Sequence, residues 1–134
     1  MTARRKRSPK ITLLLTERAL ADIREIEQFS IKEWGRRAAD RYLDDIEAAL
    51  SRLQQNLEIL RLEPAFSSAL FFYRVKKHFL VCDYRRTTVI VLTIIHTSMD
   101  LPARLLELEP RLKAEVELLC NRLNENYSEG GVQS

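Results

Sequence analysis

Between Leu70 and Ile95 the chain runs through three stretches of strand-forming residues held apart by very short cationic connections. That spacing restricts the fold more than any other feature. Leu70–Val75, Phe79–Tyr84 and Val89–Ile95 are rich in aromatic and β-branched side chains over the length of an ordinary strand. Lys76-Lys77-His78 and Arg85-Arg86-Thr87-Thr88 connect them. Connections this short join antiparallel neighbours, so the three strands form a meander. Val89–Ile95 is almost wholly aliphatic, which predicts a strand covered on both faces and central in its sheet.

The cover comes from upstream. Leu20, Ile23, Ile26 and Phe29 recur at three-residue spacing and Trp34 follows, predicting an amphipathic helix over about 17–33. Thr16 suits its N-cap, and Glu17 places a carboxylate in the first turn. Gly35 is the only glycine ahead of the C-terminal tail and can end the helix in a backbone conformation closed to other residues. A second stripe, Ala39, Tyr42, Leu43, Ile46, Ala49, Leu50, Leu53, Leu57 and Leu60, predicts a long helix stopped by Pro64. The Trp34-Gly35 link is so short that the two helices must form an antiparallel hairpin. Trp34 reads as a core or hairpin-packing residue, and Tyr42 as a core residue with its hydroxyl at the boundary. Ile11–Leu15 adds a fourth strand. Leu112, Val116, Leu119 and Leu123 mark a C-terminal helix opened by Asp100-Leu101-Pro102, with Pro110 predicting a break or restart near residue 109. The expected class is α+β: an N-terminal strand, an antiparallel helical hairpin packed on a small, mostly antiparallel four-stranded sheet, and an extra C-terminal helix.

Composition narrows the function classes. A chain of 134 residues, 46% hydrophobic, suits one domain with a real core. No apolar run reaches membrane-spanning length and no signal-peptide pattern is visible, so a cytoplasmic location is expected. Cys82 and Cys120 lie on apolar stretches without CxxC spacing and read as small buried hydrophobes. His78 and His96 stand apart from any ligand cluster, and no glycine-rich phosphate loop exists, so neither a metal nor another cofactor is expected. The net charge of +3 is segregated. Residues 1–10 carry +5 and residues 65–100 carry +3, against −3 over 11–64 and −2 over 101–134. Cations gathered on a tail and a sheet favour an acidic partner on the sheet side.

Three stretches then resemble one family. The first is Leu20-x-x-Ile23 running to Trp34-Gly35. The second is Ala38-Ala39-Asp40-Arg41-Tyr42-Leu43-x-x-Ile46. The third is Tyr73-Arg74, His78-Phe79-Leu80-Val81, then Ile95-His96-x-x-Met99-Asp100 and Arg104-Leu105. In this order and spacing they are similar to the ParE branch of the RelE/ParE toxin superfamily. The resemblance spans a toxin domain at 11–105, flanked by a basic flexible arm at 1–10, a helical extension at 106–127 and a disordered tail at 128–134. It implies a type II toxin–antitoxin toxin that arrests growth when expressed alone. A cognate, ParD-like antitoxin would neutralise it by laying an apolar, acidic C-terminal segment across the hairpin and sheet.

The ParE branch implies binding and poisoning of DNA gyrase. The RelE branch, with the same fold, implies ribosome-dependent mRNA cleavage. A third reading is an inactive relative kept as a binding module. Cleavage would draw on Arg74 and Lys76, whose i, i+2 spacing predicts a shared face, with His96 as acid or base. Thr97-Ser98-Met99-Asp100, directly after the last strand, supplies neither the Arg nor the Tyr that the RelE resemblance would require there, so gyrase binding without covalent chemistry is the expected mode. The candidate target-binding residues are Arg74, Lys76, Lys77, Arg85, Arg86, His96, Met99 and Asp100. Structural roles stand beside these: Asp100 capping the last helix, His96 satisfying backbone groups in its turn, and Arg74 pairing with Asp44 or Asp45. His78 reads as a structural marker. Arg4, Arg5, Lys6 and Arg7 either contact DNA phosphates or form a solvated tail.

Overall fold

The computed structural model describes residues 11–67 and 69–132, with 124–132 as backbone only. The expected arm at 1–10 lies outside the described residues. The elements follow in the order β1 (Thr12–Leu15), α1 (Glu17–Trp34), α2 (Arg36–Gln55), β2 (Arg61–Leu62), β3 (Phe71–Val75), β4 (His78–Arg85), β5 (Thr88–His96) and α3 (Leu101–Val132). This is the expected α+β class, with five strands rather than four. The sheet order is β1-β5-β4-β3-β2, with β1 parallel to β5 and every other pair antiparallel. The unforeseen strand, β2, pairs only Arg61 and Leu62 with Phe72 and Phe71. Two residues carry no periodicity that a sequence reading could detect.

Two cores lie on the two faces of this sheet. On one, α1 and α2 cover Val75, Leu80, Cys82, Val89, Val91 and Ile94 with Ala19, Ile46, Ala49 and Leu53. On the other, α3 lays Leu101, Leu105, Leu108, Leu112 and Val116 over Phe72, Val81, Ile90, Leu92 and Ile95. β5 contributes to both cores, as its unbroken aliphatic character predicts, and occupies an interior position beside the middle strand β4.

Local chemistry explains the element ends. The Thr16 hydroxyl accepts the Ala19 N–H (3.1 Å) and donates to the Leu92 carbonyl (2.8 Å), so one side chain caps α1 and ties it to β5. Gly35 has φ 91° and is the whole connection between α1 and α2. Side chains other than hydrogen avoid that region, which is why glycine stands there. α2 ends at Gln55, before the expected stop near Pro64. Asn56 turns extended, and its side chain accepts the Glu58 N–H (2.9 Å) to start a short 3-10 turn over Leu57–Ile59. Leu57 and Leu60 continue the stripe in spacing and still join the core, through a turn.

α3 corrects a second expectation. It runs from Leu101 to Val132 and passes through Pro110 unbroken, where a break or restart was expected. Pro110 and Leu106, whose carbonyl loses its helical N–H donor, are both on the exposed side where water can replace the bond. The buried stripe on either side of Pro110 docks on one sheet face and outweighs the local break.

Candidate functional site

The expected basic sheet divides into separate places. Lys76 and Lys77 form the β3–β4 connection, whereas Arg85 and Arg86 stand at the far end of β4. An eight-residue strand separates them by roughly 25 Å. Arg74 pairs across the strands with Phe79, and Phe79 with Ile95, so Arg74 shares the α3 face of the sheet. Its guanidinium donates to the Lys76 carbonyl (2.8 Å) and makes no ion pair with Asp44 or Asp45. Lys76 takes Asp45 instead, at 3.2 Å. With φ 54° it has left the strand, so the i, i+2 rule no longer places it beside Arg74. Arg85 is held by Asp83 at 3.1 Å, and Arg86 occupies its turn with φ 55°.

The Met99-Asp100 turn behaves as a helix start. Asp100 accepts the Ala103 N–H (3.3 Å) with its carboxylate and the Arg104 N–H (2.9 Å) with its carbonyl. Met99 donates its N–H to the His96 carbonyl, and its side chain is about half exposed (47%). His96 Nδ1 accepts the Ser98 N–H at 3.0 Å. The structural roles foreseen for Asp100 and His96 are therefore occupied.

What the register does bring together is a cluster around His78. β4 pairs His78 with His96, and their rings meet edge to face at 5.0 Å. His78 Nδ1 is hydrogen-bonded to the Tyr42 hydroxyl, which also accepts the Lys77 N–H (3.2 Å). Burial, and then the neighbouring His96, lower the His78 pKa to about 4, so this ring is neutral at pH 7. Burial likewise raises the Tyr42 pKa and keeps its proton in place. Beside this cluster, Asp22 of α1 accepts from the Thr93 hydroxyl and from the Ile94 N–H (2.9 Å). The register between β4 and β5 slips in this region, between Val81 and Cys82. A helix carboxylate thus satisfies backbone that the ladder leaves over.

These groups line one end of a pocket of about 250 Å³, walled by Ile26, Phe29, Ser30, Trp34 and Ile94. Trp34 is not the core residue expected: it is 55% exposed and stacks edge to face on Phe29, itself 57% exposed. The hairpin interface is closed by the small residues Ala19, Ser30, Ala39 and Ala49, so the large aromatics at the end of α1 remain at the rim. The cluster could have been found by register. Folding Phe79–Tyr84 back on Val89–Ile95 about the Arg86-Thr87 turn brings the two histidines opposite each other once one bulge residue is allowed.

The pieces of a nuclease do not meet. Arg74 lies on the sheet face that α3 covers, His96 lies with His78 on the hairpin face, and Lys76 is turned toward α2. Among the described residues no group of three His, Cys, Asp or Glu could hold a metal ion, and no helix is long and apolar enough to cross a membrane. Cys82 is fully buried and its thiol pKa is pushed up, so it is inert packing.

Comparison with known proteins converges on one lineage. Residues 13–101 match the family model described as the ParE toxin of the type II toxin–antitoxin system parDE. The chain is 31% identical over 93 residues to Toxin ParE of Escherichia coli, covering 69% of this chain and 90% of that protein. Its fold is similar to a chain from the chromosomal ParDE system of P. aeruginosa, with a TM-score of 0.59 at 18% identity, covering 66% of this chain and 98% of that one. The chain belongs to the ParE toxin family of type II toxin–antitoxin systems.

Proposed function

We propose that this toxin acts in the cytoplasm by binding and poisoning DNA gyrase, and that a cognate ParD-type antitoxin neutralises it. The observation that favours binding over chemistry is the placement of Arg74 and His96 on opposite faces of the sheet. RNA cleavage needs a phosphate-binding cation and a proton-transfer group around one scissile bond, and these residues cannot converge on one. Of the five candidate cations on the sheet, target contact falls to the three that make no ion pair among the described residues: Arg74 and Lys77 near one end, and Arg86 at the other. Arg74 is the strongest of these because its guanidinium is already oriented by the Lys76 carbonyl, which reduces what must be ordered on binding.

The test is a gyrase supercoiling and cleavage assay with purified protein. ATP-dependent accumulation of linear DNA, weakened at least tenfold by Arg74→Ala, is the expected result. Unchanged supercoiling at high protein excess would overturn the reading. Loss of intact mRNA on translating ribosomes would then establish the endoribonuclease alternative.

A further inference from the structure

The first acidic residue of the chain is Glu17. Ahead of it come Arg4, Arg5, Lys6, Arg7 and Lys10, with no opposite charge among them. Backbone contacts fix where this run joins the fold. The Thr12 N–H donates to the Thr87 carbonyl (2.8 Å), and the Ile11 carbonyl accepts from the Gln54 side chain of α2 (3.4 Å). Thr12 then pairs in parallel with Thr88. The basic run is thereby rooted beside the β4–β5 turn, which consists of Arg86 and Thr87. Lys10 precedes Ile11, and Arg86 precedes Thr87, so steps of about 3.8 Å between successive Cα atoms keep Lys10 close to Arg86.

Arg86 is exposed and makes no ion pair among the described residues. Arg85, one residue earlier, is held by Asp83 (3.1 Å) in a cleft that also contains Lys113 and Glu109, so it adds no net charge. A chain covers at most about 3.6 Å per residue, so Arg4 lies within roughly 25 Å of Ile11 along any path. Six cations, Arg4, Arg5, Lys6, Arg7, Lys10 and Arg86, therefore share one end of the molecule.

A fitting partner supplies closely spaced negative charge. Duplex DNA carries one charge per ~1.7 Å of its axis, and cations that neutralise its phosphates gain free energy from the counterions they release. Other polyanions fit less well. Single strands are gripped by aromatic side chains stacked on bases, and no aromatic residue precedes Phe29. A lipid surface takes up an amphipathic segment by its apolar face, and Arg4 to Lys10 contains no large apolar residue.

We propose that the N-terminal cations and Arg86 form one surface that binds the phosphate backbone of duplex DNA without reading its sequence. The toxin then holds DNA by the end of the sheet opposite Lys77, independently of any contact with gyrase.

Fluorescence anisotropy of a labelled, mixed-sequence duplex, with the full chain and without gyrase, tests this. Saturable binding is expected, with a Kd of about 1–100 μM near physiological salt. The logarithm of affinity should fall against the logarithm of salt with a slope of magnitude about 5, roughly 0.9 for each of six phosphates. A duplex of scrambled sequence should bind equally. Arg86→Gly suits the φ of 55° and should lower the slope by about 1, weakening binding several-fold. Arg4→Ala, Arg5→Ala, Lys6→Ala and Arg7→Ala combined should lower it by roughly 3 to 4 and weaken binding at least ~10-fold. Arg104→Ala, near the opposite end of the sheet, should change neither. No saturation by the wild-type chain overturns the proposal. So does tighter binding to single-stranded RNA, polyglutamate or anionic vesicles than to the duplex. An unchanged slope in Arg86→Gly would show that the turn and the N-terminal run do not act as one surface.

Discussion

The two faces of the β-sheet are covered by helices in opposite manners. On the α3 face a single stripe of leucine and valine meets an aliphatic and aromatic surface, and the contact is almost entirely apolar. On the hairpin face small side chains bring α1 and α2 close, polar side chains bolt α1 to β5, and an open pocket remains at one end. The α3 face has the character of a stability device, since apolar burial is strong and indifferent to direction. The hairpin face has the character of a positioning device, since hydrogen bonds add little net energy but fix orientation.

Mutations should separate the two. The largest effect belongs to the α3 face: Leu105→Ala removes a side chain 1% exposed and should cost about 3 kcal/mol in urea denaturation. Leu106→Ala, one residue away and 78% exposed, should leave the midpoint almost unmoved. Equal effects at the two positions would mean that α3 does not dock as described.

Next comes the bolt. Asp22→Ala leaves the Thr93 hydroxyl and the Ile94 N–H without their acceptor and should cost about 2 kcal/mol. Hydrogen exchange should quicken at Ile94 before it does at the α3-facing strand residues. Uniform loss of protection would erase the proposed distinction between the faces.

A smaller effect is expected from pH. The folded-state pKa of His78 is about 4, below its unfolded value near 6.5. Between those values the unfolded chain binds the extra proton, so this group's contribution is complete above about pH 6.5 and declines as pH falls toward 4. His78→Asn should flatten that part of the stability profile relative to wild type. An NMR titration of the His78 ring with a midpoint near 6.5 would refute the buried, neutral assignment.

The smallest change is local. Arg86 holds φ 55° in the β4–β5 turn, a conformation that glycine adopts without strain. Arg86→Gly should raise the unfolding free energy by up to about 1 kcal/mol, with both faces unaffected. A loss of stability would show that the Arg86 side chain makes a contribution larger than its backbone strain.

Local spacing made much of this molecule legible in advance. Thr16 as a cap, Gly35 as the hinge between helices, Asp100 as the start of α3 and the antiparallel meander are all decided by residues within a few positions of one another. Capping, turn formation and periodicity act over that range, and the structure reproduces them. The misreadings share a longer-range cause. The stripe that ran on to Leu60 could not announce that Asn56 would break it. Pro110 looked like a stop because its local cost was visible and the docking surface for α3 was not. Trp34 looked like core because apolar spacing cannot tell which large side chains a hairpin closed by small residues leaves at its rim.

The candidate site divides along the same line. The sequence by itself determined which cations and histidines the chain carries, on which strands, and at which ends. Only the tertiary structure decided which of them meet. A strand alternates its faces residue by residue, and one slipped register reassigns a side chain to the opposite side. The β4–β5 irregularity therefore sets Arg74 and His96 on opposite faces and pairs His96 with His78, while the positive φ of Lys76 turns that residue away from Arg74.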